Sequence, residues 1–245
     1  MNLFNFLFKK KLDRIYLAIY ANLGKTIYAD SEKEELVKNF VEISKKLYGT
    51  VSLKFDIGGS GYGISKGSPC FGQKAFDNKL KKFGYRKLDE IRVQTEIQNI
   101  SSQFILISSS HLELCFFWKN DSEPALKKAL DLIIEVSKFT DIEYAYAYPS
   151  TRELFNFEWI LRKGFFSSGH TIPETQSIFR KNIEKTKDGY IKKIYPVNYF
   201  NPTQLAKLTN LIPEERFMLD NENEIWIFNS NLDELNLKAI NCILK

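Results

Sequence analysis

At 245 residues with 44% hydrophobic side chains, the chain has ample apolar material for a sizeable core, which excludes a disordered polypeptide. Net charge is +5, but Lys, Glu and Asp are interspersed through the same segments, which argues against nucleic-acid recognition and against an inhibitor that works by mimicking nucleic acid. Cys70, Cys115 and Cys242 stand far apart with no C-x-x-C spacing and only two histidines to join them, which favours a reducing compartment and no structural zinc.

The opening MNLFNFLFKKKL places apolar residues before the lysines, the reverse of a secretory signal, and the run is too short to span a bilayer. A cytoplasmic protein is expected. RIYLAIYANL, Arg14 to Leu23, reads as a largely buried strand. Asp30 or Ser31 caps a helix over about 31–48, on which Leu36, Val37, Phe40, Ile43 and Leu47 recur at helical spacing until Gly49. Val51, Leu53, Phe55 and Ile57 alternate as a second strand, which runs into the glycine-rich passage DIGGSGYGISKGSPC. Its spacing fits neither a P-loop nor a dinucleotide fingerprint, and Asp56 falls where a CoA pyrophosphate loop needs a cation or amide. It reads as a flexible loop or bulged strand end, with a nucleotide or CoA site over Gly58–Gly63 as the alternative.

Phe76, Leu80 and Phe83 predict a short helix closed by Gly84. Runs at 89–98, 103–110 and 111–118 predict an antiparallel meander, with His111 isolated from any ligand-spaced partner. A helix to about Phe139 follows, built on Leu126, Leu130, Ile133, Ile134 and Val136. In IEYAYAY, Tyr144, Tyr146 and Tyr148 share one face and Ala145 and Ala147 the other; the tyrosines form either a core layer or a binding ridge. From Ser150 to Tyr190 the period loosens around Phe155, Phe157, Trp159 and Arg162, with loops at 169–173 and 186–189. Ile191 to Val197 reads as the end of a strand in which Pro196 disfavours a central position. Asn201, Pro202 and Gln204 then spell a capping box for a helix bearing Leu205 and Leu208. Glu224–Phe228 is a short strand, and Asn231 or Asp233 caps a closing helix.

The order of strand, Tyr195-Pro196-Val197-Asn198, short capped helix with Leu205, Trp226-bearing strand and final helix resembles the C-terminal part of bacterial immunity proteins against type VI secretion and other polymorphic toxins. The likeness covers roughly the last fifth of the chain. It implies a protein that acts by binding, with no catalytic residues to transfer and with the matching segment as scaffold.

Together these readings predict an α+β fold, mainly antiparallel sheet with amphipathic helices packed on one face. They place it in a single compact domain over 1–245, divisible into halves 1–149 and 150–245. The expected function is a cytoplasmic immunity protein that occludes the active site of a cognate toxin. Tyr144, Tyr146, Tyr148, Trp159 and Arg162 are its candidate contacts, with no cofactor, metal, catalytic residue, nucleic acid or membrane involved. The alternative is an acyltransferase-like enzyme using Gly58–Gly63, in which distant carboxylates such as Glu113 and Glu143 would have to meet.

Overall fold

The computed structural model describes residues 14–23, 30–49, 53–59, 70–95, 100–107, 110–119, 125–150, 160–163, 168–171, 174–229 and 231–243. Strand β1 (Arg14–Asn22) lies in the interior of the sheet, and its residues from Arg14 to Ala21 are all buried. It pairs along its whole length with two antiparallel neighbours, β6 (His111–Lys119) and β7 (Asp141–Ser150). Such a strand has no solvent face, which explains why RIYLAIYAN is apolar or aromatic at nearly every position instead of alternating with charge.

Outward from β6 run β5 (Ser101–Leu106), β4 (Leu88–Gln94), β2 (Lys54–Gly59) and the two-residue β3 (Cys70–Phe71). Outward from β7 run β10 (Val197–Phe200), β12 (Glu224–Ile227) and β11 (Glu215–Met218). All ten strands are antiparallel to their neighbours, and β4–β5–β6 form the expected meander. Strand β8 (Ile160–Lys163) pairs with β9 (Ser168–Thr171) in a separate hairpin, where the loop predicted from Gly169 lies partly in strand.

Three long helices cover one face, as the α+β reading requires. They are α1 (Asp30–Tyr48), α2 (Gln73–Phe83) and α3 (Ala125–Ser137). Val37, Phe40 and Val41 of α1, Phe76 and Leu80 of α2, and Ala129, Ile133 and Val136 of α3 pack on the side that carries Ile15, Leu17 and Ile19. Each helix repeats its apolar residues at three and four positions, so one stripe meets the sheet. Gly49 and Gly84 follow α1 and α2 with φ of 78° and 82°, a left-handed backbone that costs glycine little.

The opposite face is covered too, which extends the expectation of helices on one side. Its cover is α4 (Glu174–Lys181), a 3₁₀ turn (Ile183–Asp188), α5 (Pro202–Lys207) and α6 (Leu232–Lys238). Phe179, Ile183, Ile191, Ile194, Leu208, Leu235 and Ala239 bury against Tyr16, Ala18, Tyr20, Cys115 and Phe117 of the sheet. The predicted strand from Ile191 is corrected. Residues 192–195 lie outside any strand, and β10 begins at Val197, between β12 and β7. Pro196 therefore stands just outside the ladder, where its missing N–H leaves no gap, and its carbonyl accepts from the Phe228 amide at 2.8 Å.

The capping box at α5 is present as read. The Asn201 side chain accepts from the Gln204 amide at 2.9 Å, and the Gln204 side chain accepts from the Asn201 amide at 3.0 Å. Asn201 Nδ2 also donates to the carbonyls of Glu143 and Thr186, which ties the cap to β7 and the 3₁₀ turn. Asn201→Ala should therefore cost about 1–2 kcal/mol, the upper part of the capping range, against at most about 1 for Asn231→Ala at the exposed cap of α6. Urea midpoints with unchanged slopes would check this, and equal losses for the two variants would overturn it.

Candidate functional site

Between the sheet and its C-terminal cover lies a layer in which aromatic rings alternate with ionisable groups. Its charged end starts from β6, where period-two geometry turns His111, Glu113 and Cys115 to the same side. Glu113 has 0% exposure. Its carboxylate accepts from Tyr20 OH at 3.0 Å and from Arg180 Nη2 of α4 at 2.5 Å. A buried carboxylate needs such partners, because removing its hydration unpaired costs several kcal/mol. Burial pulls the Arg180 guanidinium down, but the Glu113 carboxylate, with smaller contributions from Tyr20 and Cys115, outweighs it and keeps the group charged. The Tyr20 phenol is pushed well up by burial and then by Glu113, so it stays a neutral donor.

A second carboxylate arrives through a bulge. The β1–β7 register steps from Tyr20↔Tyr144 to Ala21↔Ile142, leaving Glu143 as the extra residue. It accepts from Thr186 Oγ1 at 2.8 Å and from Asn22 Nδ2 at 2.9 Å, and His111 Nε2 lies 3.7 Å from it. His111 is thus less isolated than its sequence neighbours imply, since its partner comes from a strand two places away. Glu113 and Glu143 occupy the same layer and are each bonded inside the fold.

Cys115 has 0% exposure and sits 3.2 Å from Tyr16 OH and 3.5 Å from Glu113 Oε1. Burial, then the Glu113 charge, pushes its thiol well up, which keeps it protonated and poorly nucleophilic. Burial likewise raises Cys70 and Cys242. Among the described residues no three His, Cys, Asp or Glu side chains gather as a metal site.

The predicted tyrosine contacts are corrected in part. Tyr144 and Tyr146 have 0% exposure, so they form the core layer and do not reach the surface. Tyr144 OH donates to the Lys193 carbonyl at 2.6 Å, and Tyr146 OH accepts from the buried Lys192 ammonium at 3.1 Å. Tyr148 is half-buried. Arg162 lies in β8 opposite Gly169, and its side chain, like Trp159 and the glycines from Gly61 to Gly63, lies outside the described residues. Gly58 and Gly59 belong to β2.

The Tyr-Pro-Val-Asn segment has its own geometry. Asn198, with 0% exposure, accepts from the Tyr195 amide at 3.0 Å and donates to the Tyr195 carbonyl at 2.6 Å, closing a ring around Pro196. The Tyr195 ring then stacks on Tyr146, with centroids 3.9 Å apart and planes 9° apart. The motif is an internal clamp between the C-terminal cover and the sheet.

At one end of the sheet an open groove of about 430 Å³ is lined by Asn22, Glu32, Glu35, Asn39, Lys138 and Asp141, among others. Its Asn22 is held by Glu143. At the far edge, Ile212, Phe217 and Met218 stand exposed around β11, a feature that charged residues in Glu-Glu-Arg-Phe-Met conceal in the sequence.

Fold and buried layer define an α+β protein whose antiparallel sheet is enclosed on both faces and whose central ionisable groups are internally partnered. No known family model matches the chain, and no curated protein matches it. Among solved structures, the Pseudomonas aeruginosa T6SS protein PA0821 shares its fold, with a TM-score of 0.59 at 9% identity over 95% of this chain and 78% of that one. No helix among the described residues is long and apolar enough to cross a membrane.

Glu113→Gln should destabilise by about 3–5 kcal/mol, because it strips the charge partner from a largely buried guanidinium, whereas Glu113→Leu with Arg180→Met should recover most of the loss. Urea unfolding of the three chains checks this. Glu90 on β4 offers a pH test. It accepts from Gln103 and its carboxyl is raised by burial, with Arg92 opposing. A raised folded-state acid favours folding at pH below its unfolded range and loses that contribution as pH rises through the folded value. Glu90→Gln should therefore gain on the natural chain between acid and neutral pH, a difference measurable from urea midpoints at each pH.

Proposed function

We propose that the chain is a cytoplasmic immunity protein that binds a cognate bacterial toxin and occludes its active site. The observation that carries the reading is where the reactive groups lie. Glu113, Glu143, Cys115 and Tyr20 are buried, with Tyr20 and Cys115 donating to Glu113 and Thr186 to Glu143, while large apolar side chains stand exposed at a sheet edge. Such a distribution suits a scaffold that presents a surface better than a cleft that turns over substrate.

Two further facts support it. The fold is shared with a type VI secretion protein of Pseudomonas aeruginosa, and the buried Tyr195–Asn198 clamp fits the scaffold role that the resemblance to immunity proteins implies for that segment. Tyr148, Trp159 and Arg162 stay in the proposed contact set, from which burial removes Tyr144 and Tyr146.

Co-expression with the toxin encoded by an adjacent gene tests the proposal. Cells should survive, and the two proteins should elute together on size exclusion. Continued killing with no complex would overturn it.

A further inference from the structure

The ten-stranded sheet ends in two edges of different character. At β3 the edge is two residues long, too short to guide another strand. At β11 all four residues, Glu215 to Met218, are exposed. One side of β11 is paired with β12, and by the alternation of an antiparallel ladder every second N–H and C=O on its other side points away from the sheet. Exposed apolar groups concentrate here. Ile212 is 85% exposed, Met218 72% and Phe217 39%, three of seven such side chains among the described residues, all within one short stretch.

The two faces of this edge offer different contacts. Phe217 lies opposite Ile225 and continues the face covered by the long helices. Arg216 and Met218 lie on the other face, opposite Trp226 and Glu224. Charge narrows the partner. From Glu214 to Glu224 the sequence carries five acidic residues and one basic residue, in a chain whose net charge is +5. That one base, Arg216, is turned back onto the buried Glu224 carboxylate. Glu215 and Glu222 stand exposed along the edge and the hairpin tip.

We infer that β11 accepts an extended segment of a partner protein, basic and with alternating apolar side chains, as an added strand at this edge. Main-chain bonds along β11 supply the attachment, Phe217 and Met218 supply apolar contact on the two faces, and Glu215 and Glu222 select for lysine or arginine. A second copy of this chain is disfavoured, because its own 214–224 segment carries the same net negative charge and would be repelled by this edge. The inference rests on the reading of the chain as a binder, and it does not require the partner to be a toxin.

The probe is a short fluorescein-labelled peptide of alternating lysine and valine, titrated against the full chain by fluorescence polarisation, with backbone hydrogen exchange read by NMR. Binding should protect amides within residues 215–218. It should weaken at least about tenfold in the exposed-site variant Glu215→Lys with Glu222→Lys, weaken with added salt, and fail for the glutamate-valine counterpart. A version N-methylated at alternate residues keeps the charge but loses one main-chain edge, and should bind at least about tenfold more weakly. Equal binding of the methylated peptide, or protection elsewhere in the chain, would reduce the effect to charge attraction and overturn the inference. Absence of peptide binding beside an intact complex with the toxin would sink the β11 site and leave the immunity reading standing. Peptide binding at β11 with no protection from the toxin would do the reverse.

Discussion

Everything in this fold follows from the burial of β1. A strand flanked by β6 and β7 along its full length, with side chains from Arg14 to Ala21 withdrawn from water, obliges the chain to build a cover on each side. The long helices α1, α2 and α3 meet that obligation on the face of Ile15, Leu17 and Ile19 in the way amphipathic helices usually do. The other face is harder to close. It presents Tyr16 and Tyr20 beside Glu113 and Cys115, and phenols and carboxylates need hydrogen bonds once water is gone. The cover there consists of short helices and turns carrying donors at chosen points: Arg180 for Glu113, Thr186 for Glu143, and Lys192 for Tyr146.

That requirement explains why the polar layer is better understood as architecture than as chemistry. A general base needs a path to substrate and a pKa poised for transfer. Glu113 has neither an open side nor a spare oxygen, since both are bonded to Tyr20 and Arg180. Cys115 is driven toward its neutral form by the same burial. The Tyr146–Tyr195 stack and the Asn198 ring around Pro196 serve the same end, fixing the irregular segment before β10 where no strand or helix could hold it.

Much of this was legible in the sequence where the signal was local. The capping box at Asn201 and Gln204, the apolar stripes of α1 and α3, and the alternation of β4 to β6 each rest on contacts between residues a few positions apart. The tyrosine run shows the limit. Period two told that Tyr144, Tyr146 and Tyr148 share a side; it held no information about what lies over them, because Phe179, Ile194 and Tyr195 come from a remote part of the chain. The Glu113–Arg180 pair spans 67 positions and leaves no spacing to detect. Strand β11 leaves no local signal for the opposite reason: with all four residues exposed it buries no stripe.

The bipartite cover also sets an order of events during synthesis. Strands β1 and β6 and helices α1 to α3 leave the ribosome well before residues 179–242, so the sheet can gain one lid while its tyrosine face is still wet and sticky. Until the later segment docks, Tyr16, Ala18, Phe117 and the thiol of Cys115 line an open aromatic wall with an uncompensated carboxylate at its end. Such exposed apolar surface is the kind that makes incompletely folded chains aggregation-prone, and residues 179–242 supply the cover that buries it in the folded protein.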